Sequence, residues 1–181
     1  VKSIMLHISS GGGAVTGVDD LAAFIKRIDT LKPVVTFAAG TMGSGAYWLG
    51  SSGRYIMASQ TSVVGSIGVI MVHTEYSQAN KDAGIATTLI RAGKFKALVN
   101  SVEPLSPEAL QQAESQAAYI YDIFTSRVAS NLGVSVAKVE ADMAQGKEFM
   151  GRQALSVGLI NKIATYEQAL NYAKKLDRSE E

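Results

Sequence analysis

A chain of 181 residues and 19.1 kDa, 47% of it hydrophobic, has enough material for one ordinary domain with a substantial core. Seventeen basic against sixteen acidic residues leave a formal charge of +1, and no Lys/Arg cluster with interleaved aromatics tracks a phosphate backbone, so nucleic acid is not an expected partner. With no cysteine there is no disulfide, thiolate metal site or cysteine nucleophile, and no apolar run reaches the roughly twenty residues of a membrane helix.

In chain order, Val1 to Ile8 reads as an apolar strand without the layout of a signal peptide, and its start without methionine leaves room for an upstream anchor or strand. A loop follows at Ser9-Ser10-Gly11-Gly12-Gly13, then a helix over Thr16 to Leu31 with Val18, Leu21, Ala22, Phe24, Ile25 and Ile28 at helical spacing. The unit repeats: strand Val34 to Ala38, a turn at Gly43-Ser44-Gly45, helix Ala46 to Ser52, strand Tyr55 to Ala58. Gln60 to Gly68 is rich in small residues. Strands are expected at Val69–Val72 and Ile85–Ile90 with a helix near Tyr76 to Ala83 between them, and Arg91 to Pro104 carries little regular signal. Ser106-Pro107-Glu108 starts a helix that should run to about Leu132 before Gly133 stops it. Further helices are expected at Val136 to Met143, Ala154 to Gly158 and Thr165 to Leu176, with a strand at Leu159-Ile160 and a capping box at Thr165 and Gln168. Strand-helix alternation predicts an α/β fold, mainly parallel, with outer helices. Residues 1–176 should form a single domain and 177–181 a disordered tail.

Ser44, between two glycines at a strand-to-helix turn, is placed as a nucleophile would be. Glycines allow a sharp turn and a close substrate, and the helix start offers free N–H groups to an oxyanion. A Gly-Ser turn or helix cap is the plainer alternative. A working serine needs a base. His7 lies in the middle of an apolar strand, as structural histidines do; His73 ends a predicted strand, with Glu75 or Asp82 as a possible third member of a triad. Lysine is the other candidate, because burial or a neighbouring like charge yields a neutral amine. Lys94 and Lys96 share a face of an extended chain in a segment too apolar for a mere solvated charge run, and spacing does not choose between them.

The motifs Ser9-Ser10-Gly11-Gly12-Gly13, Gly43-Ser44-Gly45-Ala46-Tyr47, Val64-Gly65-Ser66-Ile67-Gly68-Val69 and Gly93-Lys94-Phe95-Lys96 stand in the order and rough spacing of the signal peptide peptidase A (protease IV) family. The resemblance extends to Gly151-Arg152-Gln153-Ala154-Leu155-Ser156-Val157-Gly158-Leu159-Ile160, a turn typical of the Clp protease and crotonase superfamily whose fold that family shares. It implies a serine endopeptidase with Ser44 as nucleophile, Lys96 as general base, Ser66 orienting the lysine, and the amides of Gly12 and Gly45 as the oxyanion hole. It implies no metal and no cofactor, a peptide or protein substrate, a homo-oligomer and a cytoplasmic setting in a bacterium. Compact single-domain members resemble phage prohead proteases. Two positions depart from the pattern: Ser10 stands where proline is usual, and Ala97 where an acid is usual. The rivals are a Ser-His-Asp peptidase, a crotonase-like acyl-CoA enzyme and an inactive assembly domain. A phosphate loop fails, because no Lys-Ser/Thr follows the glycines and position 16 is Thr in the G-x-G-x-x-G register.

Overall fold

Val34–Gly43 forms strand β2, the hub of the sheet in the computed structural model, which describes residues 1–176. β1 (Ile4–Ser10) and β3 (Tyr55–Ala58) pair in parallel with its first half, and β4 (Val63–Gly65) pairs in parallel with its last residues. β6 (Lys162–Ile163) joins β3 in parallel, while β5 (Glu148–Met150) closes the far side antiparallel to β4.

Both faces of β2 are covered, which is why the strand is an unbroken run of buried residues over Val34 to Ala38 rather than an alternation. On one face Val35 and Phe37, with Met57 of β3, pack on Ala169 and Ala173 of α7 (Tyr166–Leu176). On the other, Thr36 donates its hydroxyl to the Gly50 carbonyl at 2.7 Å, fastening α2 (Gly45–Gly50) to the sheet. Trp48 of that helix stacks on Phe124 at 4.6 Å with only 9° between the rings. Phe124 belongs to α4 (Pro107–Leu132). Helix α1 (Val18–Leu31) is tied down at both ends: Asp19 receives both arms of the Arg127 guanidinium at 2.8 and 2.9 Å, and buried Asp29 accepts from the Val34 amide and Arg54 Nε, each at 2.8 Å.

The described residues fall into two compact units, Val1–Gly68 with the chain from Tyr121 onward, and Val69–Ile120. The first contains the whole sheet. The second contains α3 (Ser77–Asp82), the first part of α4 and a large share of irregular chain.

The α/β class and the order of the helices agree with the sequence reading, and both predicted caps are present. Ser106 Oγ accepts from the Ala109 amide at 3.1 Å, and Thr165 and Gln168 form the reciprocal box. Val69–Val72 and Ile85–Ile90 are not strands. They have no ladder partner among the described residues, and Ile70, Val72 and Ile90 are 88%, 82% and 91% exposed; β propensity without a partner strand does not make a sheet. Leu159-Ile160 is not a strand either. Gly158, left-handed at φ 88°, ends α6 (Gly151–Val157), and the Leu159 amide bonds back to the Ala154 carbonyl. The helix expected at Val136 to Met143 is α5 (Val136–Lys138) running into a π-helical turn, Val139–Met143. The tail at 177–181 lies outside the described residues.

The Trp48–Phe124 stack holds α2 against α4, so Phe124→Ala should destabilise the fold by about 3–5 kcal/mol. Denaturant unfolding followed by the fluorescence of Trp48, the one tryptophan of the chain, measures this directly.

Candidate active site

The nucleophile candidate sits where β2 breaks into α2. Ser44 takes φ 51°, ψ −128°, a left-handed backbone unusual for a residue with a Cβ. Its amide donates to the Gly65 carbonyl at 2.8 Å, and its own carbonyl accepts from the amides of Tyr47 and Trp48 at 2.9 and 3.0 Å. Its side chain makes no capping bond, so the reading of Ser44 as a helix cap does not hold. The hydroxyl makes no hydrogen bond among the described residues.

Gly12 is pressed against this turn. A Cβ placed on Gly12 would fall 2.7 Å from Ser44 Cβ and 3.0 Å from both the Gly43 carbonyl oxygen and the Gly45 nitrogen. With φ 105° as well, only glycine fits. The two proposed oxyanion amides therefore belong to residues packed on one another around Ser44. The Gly12 amide is also engaged: it donates to Ser10 Oγ at 3.2 Å. This contact was invisible in the sequence, where Ser10 registered only as a departure from proline.

Ser66 joins the same cluster. β2 and β4 pair in register Gly43↔Gly65, so the residues that follow, Ser44 and Ser66, leave neighbouring strands side by side. A Cβ on Gly43 would stand 3.4 Å from Ser66 Cβ. Ser66 also has φ 51°, and its hydroxyl makes no hydrogen bond among the described residues. Its amide donates to the Lys147 carbonyl at 2.7 Å. Neither Lys147 nor the Gln145-Gly146 turn before it was picked out from sequence; the adjacent glycine was the available signal.

The structure thus brings Gly12, Ser44, Gly45 and Ser66 together in the first unit. Lys96 belongs to the second, in a tight loop between left-handed Gly93 (φ 92°) and Ala97 (φ 53°), its amide bonded to the Gly93 carbonyl at 3.0 Å. The two lysines differ here. Lys94 pairs with Glu108 at 2.7 Å and lies over the Phe95 ring, whereas the Lys96 ammonium has no partner among the described residues.

The histidines are otherwise occupied. His73 Nε2 lies 2.5 Å from the Asn100 carbonyl, which can only accept, so that nitrogen carries the hydrogen. Its neighbour Glu75 is turned to Ser77, whose hydrogen bonds hold the carboxyl below its usual range. His7 stacks on Phe37 at 5.9 Å and meets the edge of Tyr166 at 5.4 Å. Both aromatics line a hollow of about 800 Å³ that includes none of the four clustered residues.

Comparison with known proteins gives the family of the chain. The chain is 34% identical to a Methanocaldococcus jannaschii protein named as a protease, over 98% of this chain and 56% of that one. It is 29% identical to the chloroplastic serine protease SPPA of Arabidopsis thaliana, over 96% of this chain and 26% of the relative. It is also 29% identical to capsid assembly protease C of Escherichia phage lambda, over 94% of this chain and 38% of the relative. The chain spans roughly half or less of the length of these relatives. The model of peptidase family S49 matches residues 26–180, and the chain belongs to that family.

Proposed function

We propose that this chain is a serine endopeptidase domain of the Clp protease/crotonase fold in which Ser44 is the nucleophile and Lys96 the general base. The observation that carries the reading is the Gly12–Ser44–Gly45 contact: an uncapped, left-handed serine with a glycine amide packed on each side has the parts that acyl transfer needs. Ser44 Oγ attacks the scissile carbonyl as neutral Lys96 Nζ takes its proton. The new oxyanion is held by the N–H groups of Gly12 and Gly45. The lysine then gives the proton to the leaving amine, and water, activated by the same lysine, hydrolyses the acyl-serine. Ser66 orients the lysine through its uncommitted hydroxyl. Lys96, whose side chain has no partner among the described residues, is favoured over Lys94, which pairs with Glu108.

Substrates on this reading are peptides or proteins, in the cytoplasm of a bacterium or a phage-infected host. The working form is a homo-oligomer, for which the exposed apolar residues Ile70, Val72 and Ile90 are the support. Of two aromatic residues on α4, Phe124 is core, and Tyr119, 69% exposed, is available to a neighbour.

Ser44→Ala should abolish peptide cleavage and acyl-enzyme formation, by roughly 10⁴-fold or more, and Lys96→Ala should lower kcat by about 10²–10⁴-fold. His73→Gln, which keeps a donor for Asn100, should be nearly silent. Full activity in Lys96→Ala with loss in His73→Gln would establish the histidine triad instead, and CoA-thioester turnover indifferent to Ser44→Ala would establish the acyl-CoA enzyme.

The Ser10 contact makes a separate prediction. An oxyanion must displace Ser10 Oγ from the Gly12 amide, and an exposed hydrogen bond of this kind is worth about 1 kcal/mol. Ser10→Ala should therefore raise kcat by up to about fivefold with KM unchanged. Val72→Glu with Ile90→Glu should yield a smaller species by light scattering.

A further inference from the structure

We propose that Gln145, at the crown of the turn Ala144–Lys147, is a positioning residue for Ser66. The inference rests on the reading that Ser66 orients the catalytic lysine. Ser66 needs external support, because a serine at φ 51° without a local side-chain bond returns to extended or helical backbone unless its neighbours hold it. One side of the grip comes from the nucleophile turn, through the Ser44 amide on the Gly65 carbonyl. The other comes wholly from the turn at 144–147. The Lys147 carbonyl accepts from the Ser66 amide at 2.7 Å, and the Gly146 amide donates to the Ile67 carbonyl at 2.9 Å. These two bonds bracket Ser66 in the chain.

The fit is close. A Cβ on Gly65 would fall 2.9 Å from the Lys147 carbonyl oxygen, and a Cβ on Gly68 would fall 3.3 Å from Gly146 Cα. To present its carbonyl and amide on one side, the turn takes two successive left-handed residues, Gln145 at φ 64° and Gly146 at φ 70°. Gly146 adopts this freely. Gln145 does not, and its side chain is the one fixed to something else: Nε2 donates to Tyr121 Oη at 3.0 Å, anchoring the turn to α4. Burial of Met143 and Ala144 fixes the turn at its entry. The backbone of Gln145 therefore decides where the Lys147 carbonyl lies, and that carbonyl decides where Ser66 lies.

The test is cleavage of a fluorogenic peptide by the full chain, with kcat and KM separated. A β-branched residue resists the left-handed region, so Gln145→Val should lower kcat by about ten- to a hundredfold while KM stays within about twofold. Gln145→Gly, which accepts that backbone but lacks the side-chain tie to Tyr121, should fall between Val and Gln, as should Tyr121→Phe. Because the effect runs through one hydroxyl, Gln145→Val combined with Ser66→Ala should be no slower than Ser66→Ala alone. Additive losses in the double variant, or full kcat in Gln145→Val, would overturn the assignment. Should Gln145→Val fail to fold by circular dichroism, the kcat of Tyr121→Phe and its non-additivity with Ser66→Ala decide the matter. Ser66→Ala at full activity, with Ser44→Ala and Lys96→Ala inactive, would remove the role of Ser66 itself; impaired Ser66→Ala beside unimpaired Gln145→Val removes only that of Gln145.

Discussion

One hydrogen bond, from the Ser44 amide to the Gly65 carbonyl, organises the site. It continues the β2–β4 ladder one step past the register Gly43↔Gly65, at the point where both chains turn away from extended geometry. Because the two strands are parallel, Ser44 and Ser66 emerge on the same end of the sheet and adjacent. Both then take φ 51°, a backbone that costs a serine about 1–2 kcal/mol each. Glycine is required beside them on steric grounds: Gly12 would collide with Ser44 if it had a Cβ, and a Cβ on Gly65, at φ 113°, would fall 2.9 Å from the Lys147 carbonyl oxygen.

Left-handed serines persist only where the surroundings over-determine them, and the surroundings here are the core. The six residues of α2 are far too few to be stable alone. They are held by the Trp48–Phe124 stack, by the Thr36 hydroxyl on Gly50, and by Tyr47, which is fully buried with its hydroxyl on the Leu159 carbonyl at 2.8 Å. Burial pushes the Tyr47 phenol far above its ordinary range, so it stays a neutral donor at any pH the fold survives. The helix that begins at the Ser44 turn is thus a packed wedge, and the serine before it inherits that rigidity.

What could be read from residues alone follows the range of the interactions involved. Local signals were legible: the Ser106 cap, the box of Thr165 and Gln168, the glycine loop and the strand-to-helix turn at Ser44 each involve a few consecutive residues. Non-local ones were not. Val69–Val72 has the composition of a strand and no strand beside it, whereas Val63–Gly65 has little strand signal yet pairs on two sides, because β2 and β5 are there to receive it. The same holds within the site. Gly12 next to Ser44 is a contact over thirty residues, and the Lys147 carbonyl on the Ser66 amide is one over eighty. Neither is written in any spacing.

The lysine illustrates the other limit. Spacing could not separate Lys94 from Lys96, since both would lie on one face if the segment were extended. The segment is in fact a tight loop whose shape is set by side chains downstream. Asn100 donates from Nδ2 to the Ala97 carbonyl at 3.0 Å and accepts from the amides of Val102 and Glu103. Glu103 is held below its usual carboxylate range first by Arg91 and then by Asn100, and His73 binds the Asn100 carbonyl. The histidine that looked like a rival base is thereby one of the supports of the lysine loop. A loop built this way, with few buried apolar residues, places its lysine by polar contacts rather than by packing. The proposed nucleophile and the proposed base are consequently fixed by two different kinds of force: Ser44 by a hydrophobic core that tolerates salt and pH, and Lys96 by a charged network that both can loosen.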